Sequence, residues 1–406
     1  MRKKFWTYII CAALLVVGLG GCKVTEQPEG SIETDKQTES SVPESDSVSD
    51  SSEQATAEPT TEPIEQNMAD IRSVDLVADM RIGWNLGNTL DAIGGVGVDS
   101  ERAWGNPKTT KEMIDKVVDA GFNVIRIPVT WEGHFGAAPD YQIHDIWLER
   151  VKEVVDYAYE RDVYVILNIH HEEWHFPSKE NEEAAGEILA ALWTQIATYF
   201  GEYDEHLIFE GLNEPRKKGT AVEWTGGDEE GREVVNHFAQ VFVDTVRATG
   251  GNNEYRHLMV TGYAASSDPK ALKSIVLPED DRLIVSVHAY TPYEFALNTK
   301  GTDQWDVKKD TKDIDYLMKT LDELFLQKGI PVIIGEFGAM NKENESERVE
   351  WVTYYLTKTQ EYGVPCIWWD NNAFNGSGEN FGLFDRRNLT FPYKDLLNAM
   401  METTKE

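Results

Sequence analysis

Between Asn168 and Pro177 the chain reads NIHHEEWHFP, with three histidines and two glutamates in ten residues. His171, Glu172 and His175 satisfy the H-E-x-x-H pattern, which on a helix offers two imidazoles to zinc and a carboxylate to water. That chemistry needs both histidines on one helical face. Here the motif follows directly on the apolar run VYVILNI (163–169), and Phe176-Pro177 breaks any helix just beyond the second histidine. No later helical stretch offers an obvious third ligand. The match reads as accidental, His175 as a loop residue, and neither a metal nor another cofactor is expected.

A second set of carboxylates has a clearer use. Glu214 closes HLIFEGLNE (206–214) and Glu336 lies in PVIIGEF (331–337). Two facing carboxylates are what glycosidic hydrolysis needs, one to protonate the leaving oxygen and one to attack or support the anomeric carbon. A lone glutamate at such a position is as often a salt-bridge partner. The pair, accompanied by Asn213, Tyr290 and Trp369, is harder to explain that way.

Elements must bring these residues together. Past residue 80, short apolar runs alternate with amphipathic helical stretches. EMIDKVVDAG (112–121) puts Met113, Ile114, Val117 and Val118 on one helical face, and Gly121 stops it before FNVIRIPV (122–129). LERVKEVVDYAYER (148–161) precedes VYVILNI, and helices near 183–200 and 231–248 precede HLIFEGLNE and HLMVTGY (257–263). With RIGWNLGN (81–88), LIVSVHAY (283–290), PVIIGEF and PCIWWDN (365–371), eight strands are predicted. Continuous apolar strands separated by helices imply a parallel sheet covered on both faces, and eight such units favour a closed (β/α)8 barrel. No glycine-rich phosphate loop follows any strand, which argues against dinucleotide binding. In such a barrel the C-terminal strand ends form the site. Polar residues recur there: Arg126, His170, His171, Asn213, Glu214, His288, Tyr290, Glu336 and the indole of Trp369. Buried polar groups at a barrel mouth are costly unless paired or used.

The strand-end motifs IFEGLNEP, VSVHAY, VIIGEFGA and IWWDNN resemble those of glycoside hydrolase family 5. GWNLGNTLDA, NIHHE, YDEHLIFEGLNEPR and FGLFDRR are similar to its subfamily 4, which cleaves β-1,4-glucans, mixed-linkage glucan and often xyloglucan. The resemblance runs from about residue 68 to the C-terminus. It implies that Glu214 is the acid/base and Glu336 the nucleophile of a retaining mechanism, with Glu336 raising the proton affinity of Glu214. It further implies that Arg126 orients Glu336, Tyr290 hydrogen-bonds it, His288 lines the site near both, and Asn213 contacts the sugar 2-hydroxyl. His170 matches the family's strand-3 histidine, and His171 is a candidate sugar contact. Trp369 would form the floor of the cleavage site, since sugar rings present apolar C–H faces to an indole. Asn88 and Asp91 match positions touching sugar on the non-reducing side. Trp131, Trp174, Trp224 and Trp305 are candidate outer platforms.

The N-terminus carries an address. Arg2, Lys3 and Lys4 precede the apolar run Ile9 to Val17, and Leu19-Gly20-Gly21-Cys22 resembles a bacterial lipobox. Residues 1–21 read as a lipoprotein signal, with Cys22 lipidated and the protein anchored at the cell surface without a spanning helix. Residues 23–66 contain no aromatic residue, and their twelve acidic residues face two lysines. Such a stretch reads as a disordered spacer, so 22–66 is a tether and 67–406 the catalytic domain. That domain keeps −26 of the chain's formal −33 charge. So acidic a surface excludes nucleic acid and anionic lipid surfaces as partners and suits a neutral polysaccharide. Only Cys366 remains beyond Cys11 and Cys22, so the domain has no intrachain disulfide; a monomer is expected. Two rival readings stay open: a carbohydrate-capturing lipoprotein, and a related barrel acting on mannan or xylan.

Overall fold

The apolar runs become strands buried along their whole length. In the computed structural model, which describes residues 68–405, these are β1 (Ile82–Leu86), β2 (Val124–Ile127), β3 (Tyr164–Asn168) and β4 (Leu207–Glu210). They continue with β5 (Leu258–Ser266), β6 (Leu283–His288), β7 (Val332–Phe337) and β8 (Cys366–Asp370). All neighbours pair in parallel, and β8 returns to β1, so the sheet closes into an eight-stranded barrel in chain order. The signal stretch, Cys22 and the acidic spacer lie outside the described residues. Among the described residues no helix is long and apolar enough to cross a membrane.

Several strands end earlier than their apolar runs predict. The β4 ladder stops at Glu210, yet Gly211 N–H still donates to Met259 O and Asn213 N–H to Ile169 O. The residues expected at strand ends therefore sit on short rim segments pinned to the strands beside them. His170 is held the same way, its N–H donating to Val129 O.

An outer ring covers the sheet: α1 (Ser73–Asp79), α2 (Lys111–Asp119), α3 (Asp145–Tyr159), α4 (Glu182–Tyr199), α5 (Glu229–Ala248), α6 (Pro269–Lys273), α7 (Tyr293–Ala296), α8 (Lys312–Leu324), α9 (Glu345–Glu361) and α10 (Lys394–Thr403). In α2 the Thr110 hydroxyl caps Met113 N–H at 3.4 Å, and Met113, Ile114 and Val117 are buried, as their spacing predicts. The outer faces of the strands and inner faces of the helices merge into one apolar cluster.

The barrel interior has a separate layer. Val124, Ile166, Ile208, Met259, Ile284, Ile333 and Ile367 pack together, and Leu76, Val77 and Met80 of the α1 region join them from below. Each such side chain contributes roughly 1.5–3 kcal/mol on burial. Side chains of a strand return to the same face every second residue. Two residues beyond these apolar positions come Arg126, Asn168, Glu210, Ser286, Gly335 and Trp369. The apolar plug is thus the foundation on which a polar layer rests.

Candidate active site

Arg126 is the hub of that polar layer and is fully buried. Its Nε donates to Glu210 Oε2 at 2.7 Å, and its Nη1 to Glu336 Oε1 and Asn85 Oδ1, both at 2.9 Å. Its Nη2 donates to Asn213 Oδ1 at 2.7 Å. Burial opposes the guanidinium charge, but Glu210 and Glu336 more than offset it and hold Arg126 above its ordinary proton affinity. Glu336 also accepts from Tyr290 Oη on Oε2 at 2.8 Å. Both oxygens of Glu336 are therefore oriented by donors.

Glu214 faces Glu336 from the rim after β4. One carboxyl oxygen of each, with a ring nitrogen of His288, lie within 4.8 Å of one another. His288 Nδ1 is 2.8 Å from Glu214 Oε1 and 3.6 Å from Glu336 Oε2. The proton is distributed differently from the sequence expectation. Burial pushes Glu214 up, but the His288 hydrogen bond and charge, with Arg216 behind them, hold its carboxyl below the usual range. Burial keeps Glu336 above its usual value despite His288 and Arg126. His288 itself is raised, because the two carboxylates outweigh its burial. His288 Nδ1 and Glu214 Oε1, 2.8 Å apart, thus shift in opposite directions, each favouring its charged form beside the other.

In the same layer the Trp369 indole lies parallel to the His170 ring, at 5.8 Å between centroids and 2° between planes. Gly87 makes room for the indole: a Cβ there would stand 2.9 Å from its edge carbons. Burial holds His170 well below its ordinary value. Asn168 Nδ2 meets its Nδ1 at 3.1 Å, which ties the ring to the polar layer.

The remaining sequence candidates separate. Asn88 takes a left-handed backbone (φ 57°), and its side-chain amide has no hydrogen bond among the described residues. Asp91 is fully buried, its oxygens accepting Asn88 N–H at 3.0 Å and Thr89 N–H at 2.6 Å. It shapes the loop that presents Asn88 instead of reaching sugar itself, a correction to the expectation. Trp305 is a second correction: it is 6% exposed and packs on Phe295 and Tyr354, so it offers no open platform. Trp131 is fully buried and donates its indole N–H to Asn168 O, and half-buried Trp174 donates to Glu172. His171 is half-buried beside Trp104, an exposed indole overlooked in the sequence. Of the four outer tryptophans, Trp224 alone is open, at 61% exposure. The Arg216 guanidinium lies over its ring at 4.3 Å and donates to Glu214 Oε2 at 3.3 Å.

The H-E-x-x-H segment forms turns and bends, not a helix. Glu172 is buried, and its oxygens accept from Trp131 N–H, Glu132 N–H and Trp174 Nε1. It stitches two rim loops together. Glu210, Asn85, Asn168 and Arg216 were also missed; Glu210 and Asn168 could be found by counting two residues past the inward-facing Ile208 and Ile166.

Carboxyl oxygens this close leave no room for a water between sugar and carboxylate, so this barrel mouth is that of a glycoside hydrolase working by double displacement. The family model for cellulase (glycosyl hydrolase family 5) matches residues 88–375. Endoglucanase A of Ruminococcus albus is 52% identical over 342 residues, covering 83% of this chain and 94% of that protein. A GH5-4 broad specificity endoglucanase from Ruminococcus champanellensis, solved with cellotriose, superposes with a TM-score of 0.81 at 51% identity, covering 82% of this chain and 99% of its own. A GH5 xyloglucan-specific endo-β-1,4-glucanase from a metagenomic library gives 0.80 at 45%, covering 81% and 98%. The chain belongs to glycosyl hydrolase family 5, the cellulase family.

Proposed function

We propose that this protein is a monomeric, surface-anchored, retaining endo-β-1,4-glucanase acting on cellulose-type and mixed-linkage glucans, and on xyloglucan. The observation that carries it is the approach of Glu214 and Glu336 oxygens to within 4.8 Å of each other. Glu336, held by Arg126 and Tyr290, attacks the anomeric carbon from below. Glu214 protonates the departing oxygen, then takes a proton from the water that hydrolyses the glycosyl ester. Bound sugar excludes water, and in a drier site a neutral Glu214–His288 pair costs less than an ion pair, which favours the proton on Glu214 as the substrate seats. Asn213, pinned by Arg126, is placed to bind the 2-hydroxyl, and His170 and Asn88 to bind sugars on the non-reducing side. Turnover of the purified domain on carboxymethylcellulose, barley glucan, xyloglucan, mannan and xylan tests the reading. Rapid loss of viscosity on the first three, with retained configuration, is expected. Preference for mannan or xylan would move the enzyme to that rival class, and saccharide binding without turnover would leave only a capture protein.

Trp224 serves the leaving-group side, since it is linked through Arg216 to Glu214. Trp224→Ala should raise KM on long glucans about 3–10-fold, the worth of one lost stacking contact. An aryl β-cellobioside, which does not reach that far, should be cleaved as before. An unchanged KM on long glucans would remove Trp224 from the cleft.

The export assignment rests on the basic, apolar, Leu-Gly-Gly-Cys order of residues 2–22. Cys22→Ser should move the protein from the membrane fraction to the soluble one; unchanged partitioning would refute the anchor.

A further inference from the structure

We propose that Glu210 is a positioning residue that takes half of the Arg126 charge and thereby keeps Glu336 a strong nucleophile. This rests on the retaining mechanism proposed above. A guanidinium serving one carboxylate prefers the two-pronged pairing, which is the strongest available and the most specific in geometry. Arg126 does not do this. It offers its Nε side to Glu210 and a single N–H of Nη1 to Glu336, spending the rest on Asn85 and Asn213. Glu210 is completely buried at the end of β4 and cannot meet sugar. Its other contacts are Ser286 Oγ, donating to Oε1 at 2.7 Å, and Asn168 Nδ2, donating to Oε2 at 3.1 Å. A second buried carboxylate beneath a catalytic arginine is expensive unless it is used. Its use is to draw the cation partly away from Glu336, which is then oriented without being neutralised.

The charged and titratable groups around Glu336 are Arg126 from β2, Glu214 beyond β4, His288 and Tyr290 from β6 and its loop, and Glu379 beyond β8. Around Glu210 stand Arg126 and, behind Asn168, His170. Gln at 210 can keep every hydrogen bond, its oxygen accepting from Arg126 and Asn168 and its amide donating to Ser286. Only the charge goes. Arg126 then acts undivided on Glu336, which keeps its negative charge to lower pH and attacks less readily.

The test is the pH profile of kcat/KM on an aryl β-cellobioside. Glu210→Gln should move the acid limb down by about one pH unit and slow glycosylation roughly tenfold, with KM little changed. Glu210→Asp, which keeps the charge, should leave the limb near its parental position. Ser286→Ala should move it the opposite way, up by about 0.3 unit, because Glu210 freed of that donor pulls harder on Arg126. An unmoved limb in Glu210→Gln, or equal displacement by Gln and Asp, overturns the proposal and marks Glu210 as structural. Should Glu210→Gln fail to fold, an unmoved or lowered limb in Ser286→Ala overturns it. Full turnover by Glu336→Ala would instead strike at the mechanism beneath it.

Discussion

Glu336→Ala and Glu214→Ala should both lose nearly all turnover on β-glucan, and azide should tell them apart. Removing Glu214 deletes the proton donor, worth ~10²–10⁴-fold, from a step whose sugar leaving group needs that proton. An aryl β-cellobioside with a good leaving group does not need it, so the glycosyl-enzyme still forms on Glu336. Its breakdown then lacks a base. Azide needs none, so it should restore turnover and yield the β-azide. Glu336→Ala has no nucleophile, and its loss should be on the order of 10⁴-fold or more on either substrate. Azide can enter the vacated space only from the face opposite the leaving group, giving the α-azide. Product configuration read by NMR decides. Reversed configurations would swap the two assignments, and full activity in either variant would end the two-glutamate mechanism.

The second large effect lies one layer deeper. Arg126→Ala leaves Glu210 and Glu336 buried without their cation, and takes a donor from Asn85 and Asn213. Breaking a buried pair from one side costs about 3–5 kcal/mol, so thermal unfolding should drop markedly while activity falls below detection. The pH dependence carries a sign. Burial already raises Glu336, and without Arg126 it binds a proton still more tightly folded than unfolded. That part of stability is present below the unfolded carboxyl value near pH 4 and is lost as pH rises through the raised folded one. The deficit against the parent should therefore shrink as pH falls from neutral toward that unfolded value. Arg126→Lys keeps the charge but not the fork, and should recover stability more than turnover. A variant as stable as the parent at neutral pH would show that the arginine is not what holds the two carboxylates.

The chain alone carried the barrel, because strand periodicity and apolar runs depend on local sequence. LNEP and GEF marked Glu214 and Glu336, and their neighbours Arg126, Asn213, His288 and Tyr290 stood at the matching strand ends. Glu210 was present in the same pattern, two residues after the inward-facing Ile208, but a glutamate inside an apolar strand has no visible use until its arginine is seen. Contacts between distant segments decided the rest. Trp224 and Trp305 are the same residue type in similar polar loops. One lies open under Arg216, and the other is closed in by Phe295 and Tyr354. Asp91 looked like a sugar ligand until its oxygens were found on Asn88 and Thr89 N–H groups. The proton affinities of the pair were equally hidden. They depend on a 2.8 Å approach of His288, at the end of β6, to Glu214, on the rim after β4. Sequence pattern reports which face a side chain takes, since that follows from the local period. Proton affinity and burial are set by whatever the fold brings within a few ångströms, and only closure of the barrel decides that.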